Sequence, residues 1–393
     1  METLLNMNIE GLKNRDAYTT AKEINQQPRL WKETTEILEK KWKEIESFIK
    51  PRIQIPGMRI IFTGAGTSAY VGDTAASYLA NKLNLRIESI ATTDIVSSPE
   101  HYFKAEIPTI LVSFARSGNS PESLGAYNLA GEIISDLSHI IITCNEEGGL
   151  AKECERNEQS LLLLMPKESN DKGFAMTGAF TCMLLSSLLI FDLDNFEENV
   201  LKVGTVTRRG DAILKTKTPE ILELVELGYE RVIYLGSASL AGLSQEAALK
   251  SLELTSGKIF SLSESTLGFR HGPKSIINDR TLVFLFVSGD EYTRQYDIDL
   301  ISEITNDEGT QKIVPIVQES KWNQNTKAFK VLSAGDDGMV VDDAYSALDY
   351  ILFAQLFAFF NSLSLGITPD NPRPDGSLNR IVQGVTIYDY LRN

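Results

Sequence analysis

The chain carries a long internal repeat. RIIFTGAGTSAYVGDTAASYLAN, from Arg59, aligns without gaps to RVIYLGSASLAGLSQEAALKSLE, from Arg231, an offset of 231 − 59 = 172 residues. TILVSFARSG, from Thr109, meets TLVFLFVSG, from Thr281, at the same starting offset, and HIIITCN then corresponds to KIVPIVQ. Three segments in one order at a nearly constant offset mean two tandem copies of one folding unit. Each paired segment is a short β-branched or apolar run that ends in Gly or polar residues. Helical patterns follow, as from the Gly/Ala/Ser/Thr-rich turn to about Leu83. With LRIESI as a further strand, this alternation predicts an α/β unit with a mainly parallel sheet.

The copies are joined near residues 200–220, where DLDNFEENV gives way to TVTRRGDAILKTKTPE. The expected organisation is a helical N-terminal extension over 1–50, a first domain over 51–205, a second over 215–365, and a Pro-rich, turn-like tail over 366–393. Within the extension, helices should break near Pro28 and end before Pro51. METLLNMNIEGLKNRD has no basic start and no long apolar run, so no signal peptide is expected. The uncharged stretch Tyr350–Thr368 is weighed against a membrane span. Gln355, Asn361, Ser362 and Ser364 interrupt it, and it reads as a buried core helix.

Lys plus Arg number 38 and Asp plus Glu 53, a formal charge of −15. That excess argues against nucleic acid or an anionic membrane as the main partner. It does not exclude a small anion held locally. Cys144, Cys154 and Cys182 form no CxxC pair and no disulfide framework, which fits a reducing cytosol. With three histidines and no ligand spacing, neither metal nor cofactor is expected.

Four motifs could carry chemistry. Gly64-Ala65-Gly66-Thr67-Ser68 follows a strand and opens a helix, where backbone N–H groups and the helix dipole favour an anion. Gly64, Gly66 and Ala69 also fit a dinucleotide fingerprint, with Glu88 near the end of the next strand, but the two hydroxyls suit a terminal phosphate better. Arg116-Ser117-Gly118-Asn119-Ser120 follows a second strand and concentrates donors around one cation. In the second copy, Ser237 and Ser239 mirror the first loop and join the candidate substrate-binding residues. On the helix behind them, Glu246, Lys250 and Glu253 fall on one stripe, either a solvated ion-paired face or an acid/base group. Finally, His271 lies in the Gly/Pro loop Arg270-His271-Gly272-Pro273-Lys274, which marks it as the acid/base histidine. His139, before an apolar strand, reads as structural, and His101 as a surface turn residue.

Together GAGTS, ARSGNS, EAALKSLEL, RHGP and SLNRIVQGVTI resemble the sugar isomerase (SIS) fold in tandem, as in the isomerase half of glucosamine-6-phosphate synthase. The spelling over about 50–390 is most similar to the AgaS-type family of galactosamine-6-phosphate deaminase/isomerases, also described as tagatose-6-phosphate ketose/aldose isomerases. The resemblance implies two SIS domains, each a mainly parallel five-stranded sheet flanked by helices. It implies phosphate contacts from Thr67, Ser68, Ser117 and Ser120, a proton-shuttling Glu253 paired with Lys250, and a ring-opening His271. That histidine comes from the neighbouring subunit in the synthase, which implies a homodimer or higher homo-oligomer.

The chain departs from the synthase in several places. Ala115 and Arg116 replace a Ser and a Gln, and two extra residues separate Glu253 from His271. The synthase's C-terminal lysine falls on Gln383, and Arg380 is no substitute for a Schiff base. Only about 50 residues precede the first domain, so glutamine-derived ammonia transfer is not expected. The expected activity is therefore conversion of galactosamine 6-phosphate to tagatose 6-phosphate plus ammonia. The rival expectations are a non-catalytic sugar-phosphate-binding regulator and a dinucleotide-dependent oxidoreductase.

Overall fold

The structure is a computed structural model and describes residues 2–307, 312–319, 322, 327–335, 338–376, 380 and 384–390. Gln383 lies outside the described residues. The chain forms two compact units. One comprises residues 30–171, 178–199 and 376–393, and the other 1–29, 172–177 and 200–375.

The first unit holds five strands: β1 (Arg59–Thr63), β2 (Arg86–Ser89), β3 (Thr109–Ala115), β4 (Leu137–Thr143) and β5 (Ser160–Leu164). They pair in parallel in the order β2-β1-β3-β4-β5. The second unit holds β6 (Arg231–Gly236), β7 (Phe260–Ser265), β8 (Thr281–Phe286), β9 (Lys312–Glu319) and β10 (Leu332–Gly335). Their order, β7-β6-β8-β9-β10, repeats the first. Register repeats too: Arg59 lies opposite Thr109, and Arg231 opposite Thr281. β1, β3 and β8 are buried along their whole length, as parallel strands covered on both faces must be. The tandem α/β expectation holds. In this strand order the switch point falls between β1 and β3, and between β6 and β8. Ligands bind outside the strand carboxyl ends there.

Helices follow the strands: α1 (Thr67–Leu83), α2 (Pro121–Ile133), α3 (Gly178–Phe191), α4 (Ser239–Leu254), α5 (Glu291–Asn306) and α6 (Asp343–Ser364). α3 packs on α1 in the first unit, and α6 on α4 in the second. Among the described residues, α6 is the one single helix long and apolar enough to cross a membrane. It is buried against its own unit, as expected of a core helix. At the N-terminus the chain breaks at Gln26, beside Pro28. The next prediction fails: the helix Trp42–Ile53 runs through Pro51. Pro51 sits in the last turn, so its missing N–H removes one backbone bond and the helix tolerates it.

The turns after β1 and β6 share a conformation. A Cβ on Gly64 would stand 2.5 Å from the carbonyl carbon of Ser68. Gly236 meets the backbone of Leu240 in the same way. Two residues on, Gly66 has φ 55° and ψ −127°, and Ala238 has φ 50° and ψ −121°. The second copy thus keeps a left-handed residue even where alanine makes it costly. Gly64→Ala is expected to destabilise the first unit by roughly 1–3 kcal/mol, the cost of forcing an extra methyl into a closed contact. Thermal unfolding checks this, and an unchanged midpoint would mean that the turn relaxes freely.

Candidate active site

In the first unit, the two predicted anion loops occupy the switch point between β1 and β3. Thr67 and Ser68 are the first two residues of α1, and both are buried. The preceding turn is fixed by Thr92 N, which donates to the Gly64 carbonyl at 2.8 Å. Arg116 directly follows β3 and is also buried. Its Nη2 donates to the Arg380 carbonyl at 2.9 Å, and Arg380 in turn donates to the Asp171 carbonyl. A helix N-terminus and a buried guanidinium at one end of one sheet make a region suited to an oxyanion.

The rest of the second loop braces itself. Asn119 Oδ1 accepts from Gly149 N at 2.8 Å, and Ser117 Oγ accepts from Asn119 N at 3.3 Å. Ser120 caps α2, accepting from Ser123 N at 3.3 Å, with Pro121 as the first helical residue. Asn119 and Ser120 therefore shape the loop as well as carrying polar groups. Nearby, burial pushes the Cys144 thiol up to about 12, so it is no nucleophile. Glu88, the acidic residue of the dinucleotide reading, is engaged otherwise. Burial raises its pKa, but Arg59 and Arg86 outweigh that and hold it below the ordinary carboxylate value.

In the second unit, α4 carries the charged stripe. Lys250 Nζ lies 2.5 Å from Glu253 Oε2 and 3.4 Å from Glu246 Oε1. Glu246 and Lys250 are 0% exposed, so a solvated ion-paired face is excluded. Only Glu253, with 22% of its side chain exposed, reaches the surface. Burial lowers the Lys250 pKa, but Glu246 and Glu253 more than reverse this and hold the ammonium above its ordinary value. The arrangement presents one accessible carboxylate backed by a fixed positive charge.

His271 is exposed and sits directly after the 3₁₀ turn Gly268–Arg270. Its neighbours are clasped to α5: Arg270 Nε lies 2.7 Å from Glu303 Oε2, and Lys274 Nζ lies 2.5 Å from Glu303 Oε1. Asp307 adds a contact to Lys274 at 2.8 Å. Among the described residues no hydrogen bond or ion pair joins the His271 side chain to Glu253. Ser239 is the buried first residue of α4, and Ser237 Oγ donates to Asp297 Oδ1 at 3.3 Å. His139, as expected, is structural. It stacks on Tyr127 at 4.0 Å, and burial lowers its pKa to about 4. His101 lies exposed in the short helix Pro99–Tyr102.

No family model matches the chain. Known proteins do. D-galactosamine-6-phosphate deaminase AgaS of Shewanella sp. (strain ANA-3) is 40% identical over 389 residues, covering 98% of this chain and 96% of that protein. The chain belongs to the AgaS family. Solved structures agree with this AgaS assignment. A Clostridium novyi NT chain, provisionally described as a tagatose-6-phosphate ketose/aldose isomerase, is 48% identical. It has a TM-score of 0.95, covering 99% of this chain and 100% of that one. Tagatose-6-phosphate ketose/aldose isomerase of Escherichia coli is 36% identical with a TM-score of 0.86, covering 95% of this chain and 97% of that one.

Two features of this AgaS-family chain escape the sequence reading. One is the Glu303 clasp on the His271 loop, since nothing local pairs residues 29 and more apart. The other is Asp297, wholly buried in α5, which accepts from Ser288 N at 2.9 Å and Thr266 Oγ1 at 2.8 Å. Burial raises its pKa to about 6 against the pull of those hydrogen bonds. A signal for it existed. Asp297, Leu300, Ile301 and Ile304 are all buried at i, i+3, i+4 and i+7, which puts an acid on the apolar stripe of a helix.

Proposed function

We propose that this AgaS-family enzyme converts galactosamine 6-phosphate into tagatose 6-phosphate and ammonia. The observation that carries the reading is the α4 row, in which a buried Glu246–Lys250 pair backs the single accessible carboxylate Glu253. Thr67, Ser68, Arg116, Ser117, Asn119 and Ser120 hold the phosphate. His271 passes the O1 proton to the ring oxygen and opens the sugar to its aldehyde. Glu253 takes the proton from C2 as the carbonyl oxygen O1 is protonated, giving an enolamine, and returns a proton at C1 as the amino nitrogen gives one up. This leaves an imine at C2, and water hydrolyses it to the ketone and ammonia. Each well-placed acid/base group contributes roughly 10²–10⁴-fold.

The test is an ammonia-release assay across galactosamine and glucosamine 6-phosphates, with tagatose 6-phosphate formation followed in parallel. Ammonia and ketose in equal amounts are expected from galactosamine 6-phosphate. Binding of these sugars without ammonia or ketose would favour the regulator instead.

Arg116→Ala is expected to raise KM for the phosphorylated sugar about tenfold to 100-fold with kcat largely kept, the loss of a charge-assisted contact. Arg116→Lys should recover part of it. An unchanged KM in the alanine variant removes Arg116 from the phosphate site.

Two further parts of the reading are proposals of the same kind. A cytosolic location is supported by three buried free cysteines, Cys144, Cys154 and Cys182. A homodimer is supported by the exposed His271, which fits a histidine offered to a second copy. Size measurement in solution tests the dimer.

A further inference from the structure

The second repeat keeps the frame of the first repeat's anion loops and fills it with carboxylate. Ala238 holds nearly the backbone conformation of Gly66. Ser288 and Gly289 stand where the repeat alignment places Ser117 and Gly118. Donors from the ends of three adjacent strands then meet on one group. Ser237 Oγ after β6, Thr266 Oγ1 after β7 and Ser288 N after β8 donate to the Asp297 carboxylate at 3.3, 2.8 and 2.9 Å. Asp343 takes two further donors of the same loop, Ser288 Oγ at 2.5 Å and Gly289 N at 2.7 Å.

The other substitutions run the same way. Leu240, fully buried, replaces Ser68, and apolar Val287 stands in front of Ser288 as Arg116 stands in front of Ser117. The second copy has thus exchanged the Ser68 hydroxyl for that of Ser237, where the first has Ala65, and lost the cation, while gaining buried Asp297 where the first has Ala126. A buried carboxylate persists only where several donors meet it. Hydroxyls and an amide N–H converging at strand carboxyl ends form an oxyanion cradle.

We propose that the second repeat contains a closed oxyanion site whose occupant is the chain's own Asp297 carboxylate. The inference rests on the second repeat alone, not on the proposed reaction. Under the proposed reaction it has a consequence: the second cradle is shut to the substrate's phosphate, so the two repeats cannot bind the sugar in two equivalent ways.

Asp297→Ala empties the cradle and leaves its donors in place. Wild type and variant are melted in rising formate, with chloride at equal ionic strength as the reference. The variant should melt lower in chloride and regain about half or more of that loss in formate, because a ligand of the folded state stabilises it by mass action. The wild type should gain nothing comparable. Equal responses of the two chains to formate overturn the proposal. Should the alanine chain fail to fold, Asp297→Ser is the second variant, read by refolding yield with and without formate. A formate-dependent gain absent from the wild type supports the site, and equal yields overturn it. No substrate enters either measurement, so its outcome is independent of whether the chain deaminates galactosamine 6-phosphate.

Discussion

Replacing Glu253 with glutamine is expected to cut turnover about 10²–10⁴-fold while substrate binding stays within a few-fold of wild type. The amide keeps the size of the side chain and can still present an oxygen to Lys250 Nζ, which lies 2.5 Å from Glu253 Oε2 in the native chain. What it lacks is basicity. A group that accepts a carbon-bound proton must be ionised and reachable, and in the α4 row only Glu253 combines a carboxylate with an exposed face. Lys250 is held protonated by its two neighbours and cannot take over as base. The check is kcat with ammonia as the readout, together with the substrate dissociation constant of the inactive variant. Exchange of the C2 proton with deuterated water should fall in parallel with ammonia release. Most of the activity surviving in Glu253→Gln would move the base elsewhere. Normal exchange without ammonia would remove Glu253 as the C2 base and place its role after proton abstraction, at C1 protonation or imine hydrolysis.

Much of this fold was legible because the repeat constrains it twice. RIIFT and RVIYLG both become the second strand from the sheet edge, and TILVSFA and TLVFLF both become their inner neighbours. Three strands went unread: Ser160–Leu164, whose Leu run spells a buried helix equally well, and two with weak local signals. Leu332–Gly335 is four residues with three small ones, and Phe260–Ser265 alternates with Ser and Glu. Burial decides them, and burial is a property of the whole sheet. The site divides in the same way. Thr67 and Ser68 were readable because a Gly-rich turn fixes a helix start locally. The burial of Glu246 and Lys250 was not, since Glu, Lys and Glu on one stripe spell a solvated face equally well. Packing of α6 against α4 settles it. The engagement of Arg116 with Arg380 joins residues 264 apart, a distance over which no periodicity carries information.

Lys250→Met should be the most damaging single change to stability. Methionine matches the aliphatic stem and removes the ammonium, leaving Glu246 wholly buried without its countercharge. Breaking one side of a buried ion pair costs roughly 3–5 kcal/mol, far more than the pair itself contributes against an apolar replacement. The two carboxylates should respond differently, and that asymmetry is the sharper test. Glu253 is 22% exposed and can be hydrated when Lys250 is lost, whereas Glu246 is 0% exposed and cannot. Glu246→Gln added to Lys250→Met should therefore restore most of the lost melting temperature, and Glu253→Gln added to Lys250→Met should restore little. The rescued double variant should remain poor in turnover, because the charge that backs Glu253 is still missing. Equal rescue by the two glutamines would mean that Glu246 is hydrated after all. No loss of stability in Lys250→Met would mean that the buried row is held together by packing alone, with its charges incidental to the fold.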